Sequence, residues 1–129
     1  MVVKNHPLTL ANVEIFSAII ANNIHVHDLI EASSAVCVFN SGIGLESLAF
    51  YRPVFAYGRS FYCADGLAEL FESATRVRDR LIDGATVSRD SIHRFFHHFT
   101  KHLYSFADWN GRLEKKRHIQ GFQTRLSLL

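Results

Sequence analysis

A serine between an asparagine and a glycine, with a glutamate five residues later, is the arrangement in this 129-residue chain best suited to chemistry: Asn40-Ser41-Gly42-Ile43-Gly44-Leu45-Glu46. A hydroxyl and free backbone N–H groups at the start of a helix attract anionic oxygen, because the helix dipole puts partial positive charge there. A carboxylate one turn further in can accept hydrogen bonds from a diol. His6, beside Pro7 and just after the apolar pair Val2-Val3, offers a second hydrogen-bonding group at a strand end. Lys4 and Arg59 are cations able to neutralise a phosphate. Phosphate or nucleotide binding is the chemistry indicated. The same residues have plainer uses: Ser41 as a helix N-cap, Glu46 as an acid favouring the helix dipole, Lys4 and Arg59 as solvated surface charges.

For those groups to meet a ligand, the chain around them must alternate strands and helices. Residues 35–39 form a short apolar run that reads as a strand buried on both faces. The polar turn at Asn40 follows, then a helix over residues 45–50 that Arg52-Pro53 terminates. Residues 54–57 read as a second buried strand closed by Gly58, so the unit is βαβ of about 25 residues, short for a parallel crossover. Upstream, Val2-Val3 reads as a strand, residues 8–21 as an amphipathic helix on Leu10, Val13, Phe16, Ile19 and Ile20, and Ile24-His25-Val26 as a short strand. Asp28 is placed to cap a helix over residues 29–32. Downstream, Leu67, Leu70, Phe71, Ala74 and Val77 keep a helical period, and Ser88 opens a long helix with an apolar stripe through Ile92, Phe95, Phe96, Phe99, Leu103 and Phe106. The expected fold is α/β: a three-layer Rossmann-like domain with a small parallel sheet over residues 1–86, followed by a C-terminal long helix and basic tail over residues 87–129 that pack on it.

Composition narrows the alternatives. Apolar residues make up 48% of the chain and no run approaches the length of a membrane span, which suits a globular cytoplasmic protein. A net charge of +2 is too small to argue for nucleic acid. Cys37 and Cys63 fit buried, reduced thiols better than a disulfide or a metal site. His25 with His27, His93 with His97 and His98 with His102 have pairwise spacings that suit metal, yet lack a third ligand nearby, so no metal is expected.

Lys4-Asn5-His6-Pro7 resembles the K-x-H-P motif of the bacterial capsule polysaccharide biosynthesis proteins. Asn40-Ser41-Gly42-Ile43-Gly44-Leu45-Glu46-Ser47-Leu48 is similar to that family's N-S-x-x-G-x-E-x-L motif. Arg52-Pro53-Val54, Tyr57-Gly58-Arg59 and Phe61-Tyr62 follow in the family's order. The family includes Kdo transferases, and the resemblance implies half of a two-Rossmann-domain (GT-B) glycosyltransferase, the carboxyl-terminal half that binds a CMP-linked sugar donor and needs no other cofactor. It implies that His6 contacts the nucleotide or its phosphate, that Ser41 and the backbone near Gly42 hold the phosphate, and that Glu46 accepts from the ribose hydroxyls. Gly42 stands where the family often has a second hydroxyl residue, and Cys63-Ala64-Asp65-Gly66 replaces its usual A-G-W-G turn. Because the chain begins at the H-P motif, the resemblance also implies a truncated or split enzyme, unable to transfer sugar alone.

Expected partners are therefore a CMP-sugar, and a lipid-linked saccharide acceptor once a complementary domain is present. The basic end, with Arg112, Lys115, Lys116, Arg117 and Arg125, is suited to peripheral contact with the inner face of the membrane. A bare interdomain face favours self-association. Two other classes fit the residues: a non-catalytic nucleotide or phosphate-binding module, and an α/β scaffold for protein association.

Overall fold

The computed structural model describes residues 1–6 and 17–103, which fall into two compact units, Met1–Ser33 and Ser34–Leu129. In the first, β1 (Val2–Val3) pairs in parallel with β2 (Ile19–Ile20), Val2 opposite Ile19 and Val3 opposite Ile20. The Lys4 ammonium donates to the carbonyls of Asn22 (2.6 Å) and Ile24 (2.7 Å), and the Asn5 N–H donates to Asn22 Oδ1 at 2.9 Å, so the end of β1 is tied to the turn after β2. Helix α1 (Val26–Ala32) follows, with Ile30 as its buried residue.

This unit corrects three expectations. Ile19-Ile20 is a strand, not the end of a helix, since two consecutive β-branched residues fit a pleated pairing better than a helix. The rest of the expected 8–21 helix lies mostly outside the described residues. Ile24-His25-Val26 is not a strand: His25 is the N-cap of α1, its Nδ1 accepting from the His27 N–H at 3.3 Å, and Asp28 sits in the first turn.

The second unit holds a three-stranded parallel sheet in the order β3 (Val36–Val38), β4 (Val54–Ala56), β5 (Ala68–Leu70). Between β3 and β4 runs α2 (Gly42–Ala49), and after β5 come α3 (Ala74–Ile82) and α4 (Arg89–His98), the last continued by a π-helical turn, Phe99–Leu103. Val38, Leu48, Val54, Ala56, Tyr62, Ala68, Ile92 and Phe96 form one apolar core, which joins the sheet to α2 and α4. The central strand β4 is buried at all three positions, whereas β3 is not buried on both faces: Cys37 and Phe39 are exposed. Cys63 is half-buried, so neither thiol is the buried one expected, although the surroundings of Cys37 desolvate its thiol and raise its pKa.

Residues 67–70 also depart from expectation. Their helical period gives way to β5 because β4 has a second edge whose buried backbone groups need partners, and Ala68, Glu69 and Leu70 supply them opposite Val54, Phe55 and Ala56. Ser73 then caps α3 by accepting from the Arg76 N–H. Ser88 opens α4 as its spacing suggests, accepting from the Ser91 N–H at 3.1 Å. The stripe's last residue, Phe106, lies outside the described residues.

Glu69 of β5 and Arg80 of α3 form a two-pronged ion pair, with Nε to Oε2 at 2.8 Å and Nη2 to Oε1 at 2.5 Å. The guanidinium holds the Glu69 carboxyl below its usual range, so the folded state binds that proton less tightly than the unfolded state. Its stabilisation is complete above the ordinary glutamate pKa of about 4.3 and is lost as pH falls through the lower, folded value. Thermal melts of Glu69→Gln between pH 3 and 7 should show a smaller loss of melting temperature on acidification than the wild type. The effect is small because both side chains reach solvent.

Among the described residues, no helix is long and apolar enough to cross a membrane.

Candidate functional site

The carboxyl end of the three-stranded sheet gathers the loops after β3 and β4. Val38 is followed by Phe39 and by Asn40, whose φ of +46° turns the chain out of the sheet, a left-handed conformation that asparagine tolerates well. Ser41 returns to extended backbone and caps α2, its Oγ accepting from the Ile43 N–H at 3.3 Å. Gly44 N–H bonds to the Ser41 carbonyl at 3.1 Å. The Gly42 N–H has no acceptor among the described residues, and a side-chain carbon built on Gly42 would meet nothing within 4 Å. A helix start with an uncommitted N–H is the kind of position that can receive an anionic oxygen.

The second loop braces the first. Ser60, buried, donates its hydroxyl to Asn40 Oδ1 at 2.7 Å. Gly58, at φ +108°, lies beside the Asn40 side chain. Tyr62, 2% exposed, donates to the Ser41 carbonyl at 2.5 Å. That phenol also explains a glycine inside α2: a Cβ on Gly44 would lie 2.5 Å from the Tyr62 hydroxyl and 2.8 Å from its ring. A helical glycine costs about 1 kcal/mol relative to alanine. Here the cost permits close approach of a buried ring to the first turn. Ser47, also fully buried, sends its hydroxyl to the Ile43 carbonyl at 2.7 Å.

Of the residues singled out in the sequence, Asn40, Ser41, Gly42, Gly44, Glu46 and Arg59 all belong to this second unit. Glu46 is half-buried in the second turn of α2, and Arg59 is exposed on the loop after β4. Lys4 and His6 belong to the first unit, where Lys4 ties down the 22–24 turn and His6 is exposed three residues after the end of β1. Pro7 lies outside the described residues. Sequence reasoning missed the supporting role of Ser60 and the meaning of Gly44. A glycine between Ile43 and Leu45 in an otherwise helical stretch was the available signal, because it implies that something bulky comes close.

The paired histidines find other uses. The Tyr51 hydroxyl lies 3.0 Å from His93 Nε2, and the rings of His98 and His102 stand 4.9 Å apart. Among the described residues, no group of three or more His, Cys, Asp or Glu side chains is gathered to hold a metal ion.

A family model described as capsule polysaccharide biosynthesis protein matches residues 1–106. No curated protein and no solved structure matches the chain.

Proposed function

Because the chain belongs to the capsule polysaccharide biosynthesis protein family, we propose that it is the donor-binding part of a capsule glycosyltransferase and that it grips a CMP-linked sugar, Kdo by resemblance, through the donor phosphate. The observation that supports this reading is the start of α2, where Ser41 caps the helix and the Gly42 N–H has no acceptor among the described residues. In a glycosyl transfer the acceptor hydroxyl gives up its proton to a base and its oxygen bonds to the anomeric carbon as the bond to the phosphate oxygen breaks, leaving added negative charge on the departing nucleotide. Fixed donors at a helix start stabilise that charge without reorganising. Glu46 is assigned the ribose hydroxyls, with Arg59 as a cation toward the phosphate. The acceptor on this reading is a lipid-linked saccharide on the cytoplasmic face of the membrane, which the basic carboxyl-terminal end would approach.

Calorimetric titration of the full chain with CMP tests the donor assignment. Binding in the micromolar to millimolar range is expected. Hydrogen bonds to charged groups are worth about 1.5–3 kcal/mol, so Ser41→Ala and Glu46→Ala should each weaken binding by roughly tenfold or more. Circular dichroism guards against misreading, since removal of the cap alone costs about 1 kcal/mol of stability. No heat of binding at millimolar CMP, or unchanged affinity in both folded variants, overturns the reading.

A further inference from the structure

Three aromatic side chains stand one residue beyond the last paired positions of the sheet. Val38 pairs with Ala56 and Ala56 with Leu70, so Phe39, Tyr57 and Phe71 occupy the next rung, one at the carboxyl end of each strand. Their rings form a row, with centroids 5.1 Å apart from Phe39 to Tyr57 and 5.8 Å from Tyr57 to Phe71. Phe39 is 76% exposed and Tyr57 50% exposed, while Phe71 is half-buried. Exposed rings of this size forgo the burial that normally holds aromatics inside a fold.

Polar or small residues follow two of the rings along the chain. Asn40 follows Phe39, and Gly58 and Arg59 follow Tyr57, all of them exposed. Phe39 stands two residues before Ser41, a chain span of roughly 7 Å at most. A ribose can bridge such a gap between a phosphate and a base. In open parallel sheets, ligands lie along the carboxyl ends of the strands.

We propose that Phe39, Tyr57 and Phe71 form a stacking ledge for the pyrimidine base of the nucleotide whose phosphate lies at the start of α2. This rests on the donor-binding reading above and adds the residues that hold the base. Neighbouring rings are inclined to one another, at interplanar angles of 48° and 62°, and Phe39 at one end and Tyr57 in the middle present the most free surface. Arg59 on the same loop supplies positive charge suited to an anionic ligand. Stacking of this kind needs only a π face, so the ledge itself does not select among bases.

The test titrates the full-length chain with CMP and with ribose 5-phosphate, which keeps the sugar and phosphate but lacks the base. Wild-type protein should bind CMP about tenfold or more tightly than ribose 5-phosphate. Phe39→Ala and Tyr57→Ala should each lower CMP affinity by about five- to fiftyfold, leave ribose 5-phosphate binding unchanged and keep a melting temperature near wild type. Tyr57→Phe should bind CMP as the wild type does. Equal wild-type affinity for the two ligands, or alanine variants that bind CMP normally while Ser41→Ala does not, overturns the ledge and leaves the donor reading standing. Loss of CMP binding in the ledge variants with none in Ser41→Ala upholds the ledge and overturns the phosphate assignment. A wild-type chain that binds neither ligand overturns both. Sedimentation velocity adds one more arm: ledge variants that dissociate an oligomer without altering CMP affinity mark the row as a contact between copies, which also overturns the proposal.

Discussion

Gly44→Ala should lower the melting temperature by about 4–24 °C and weaken CMP binding with it. The added methyl would fall 2.5 Å from the Tyr62 hydroxyl and within 3 Å of its ring carbons. Neither side can yield cheaply, because Tyr62 is buried and its hydroxyl is engaged with the Ser41 carbonyl. Overpacking of this kind costs about 1–3 kcal/mol, and loss of the phenol's hydrogen bond adds about 1 kcal/mol. For a unit of this size each kcal/mol corresponds to about 4–8 °C. Alanine's better helix propensity returns only about 1 kcal/mol of that. Thermal melts by circular dichroism, paired with CMP titration below the transition, measure both effects. Tyr62→Phe keeps the ring and drops the hydroxyl, so it should lose only about 1 kcal/mol. A Gly44→Ala protein that melts at the wild-type temperature would mean that the ring does not seat against α2.

Leu48→Ala should be at least as damaging to stability and far less so to binding. Leu48 is fully buried in the core that α2 shares with Val38, Val54, Ala56, Ile92 and Phe96. Emptying such a position costs about 2–5 kcal/mol, the spread reflecting how far the neighbours collapse into the space. Chemical denaturation in urea measures it, as a lower midpoint with an unchanged slope. Because Leu48 lies near the far end of α2 from Ser41, CMP affinity at low temperature should stay close to wild type. The pair of variants thus separates an effect on the helix start from an effect on the helix as a whole. A Leu48→Ala chain as stable as the parent would show that α2 is not packed on the sheet.

Most of the βαβ unit was legible because its signals are local. Pro53 stops a helix wherever it falls, Asn40-Ser41 reads as a turn and a cap, and the strands on either side are short apolar runs. Residues 67–70 were misread because their spacing serves a helix as well as a strand. What decided between them was the unpaired edge of β4, a partner distant in sequence. Ile19-Ile20 went the same way, drawn into pairing with Val2-Val3. At the site, the cap residue and the glycine turn were visible by type and spacing. The Tyr62 brace, the Ser60 prop and the aromatic row were not, because each depends on how loops from different strands come to lie side by side.

One bond at the head of α2 bears on what that position can greet. Ser41 spends a lone pair on the amide of Ile43, two residues along its own chain. What remains on the oxygen is one lone pair and a proton free to rotate, and the Gly42 amide hydrogen is likewise uncommitted among the described residues. A hydroxyl so placed can turn its proton toward an electron-rich visitor at the end of the helix where the dipole is positive. Capping the helix therefore leaves that position able to greet an anion before any charged side chain takes part.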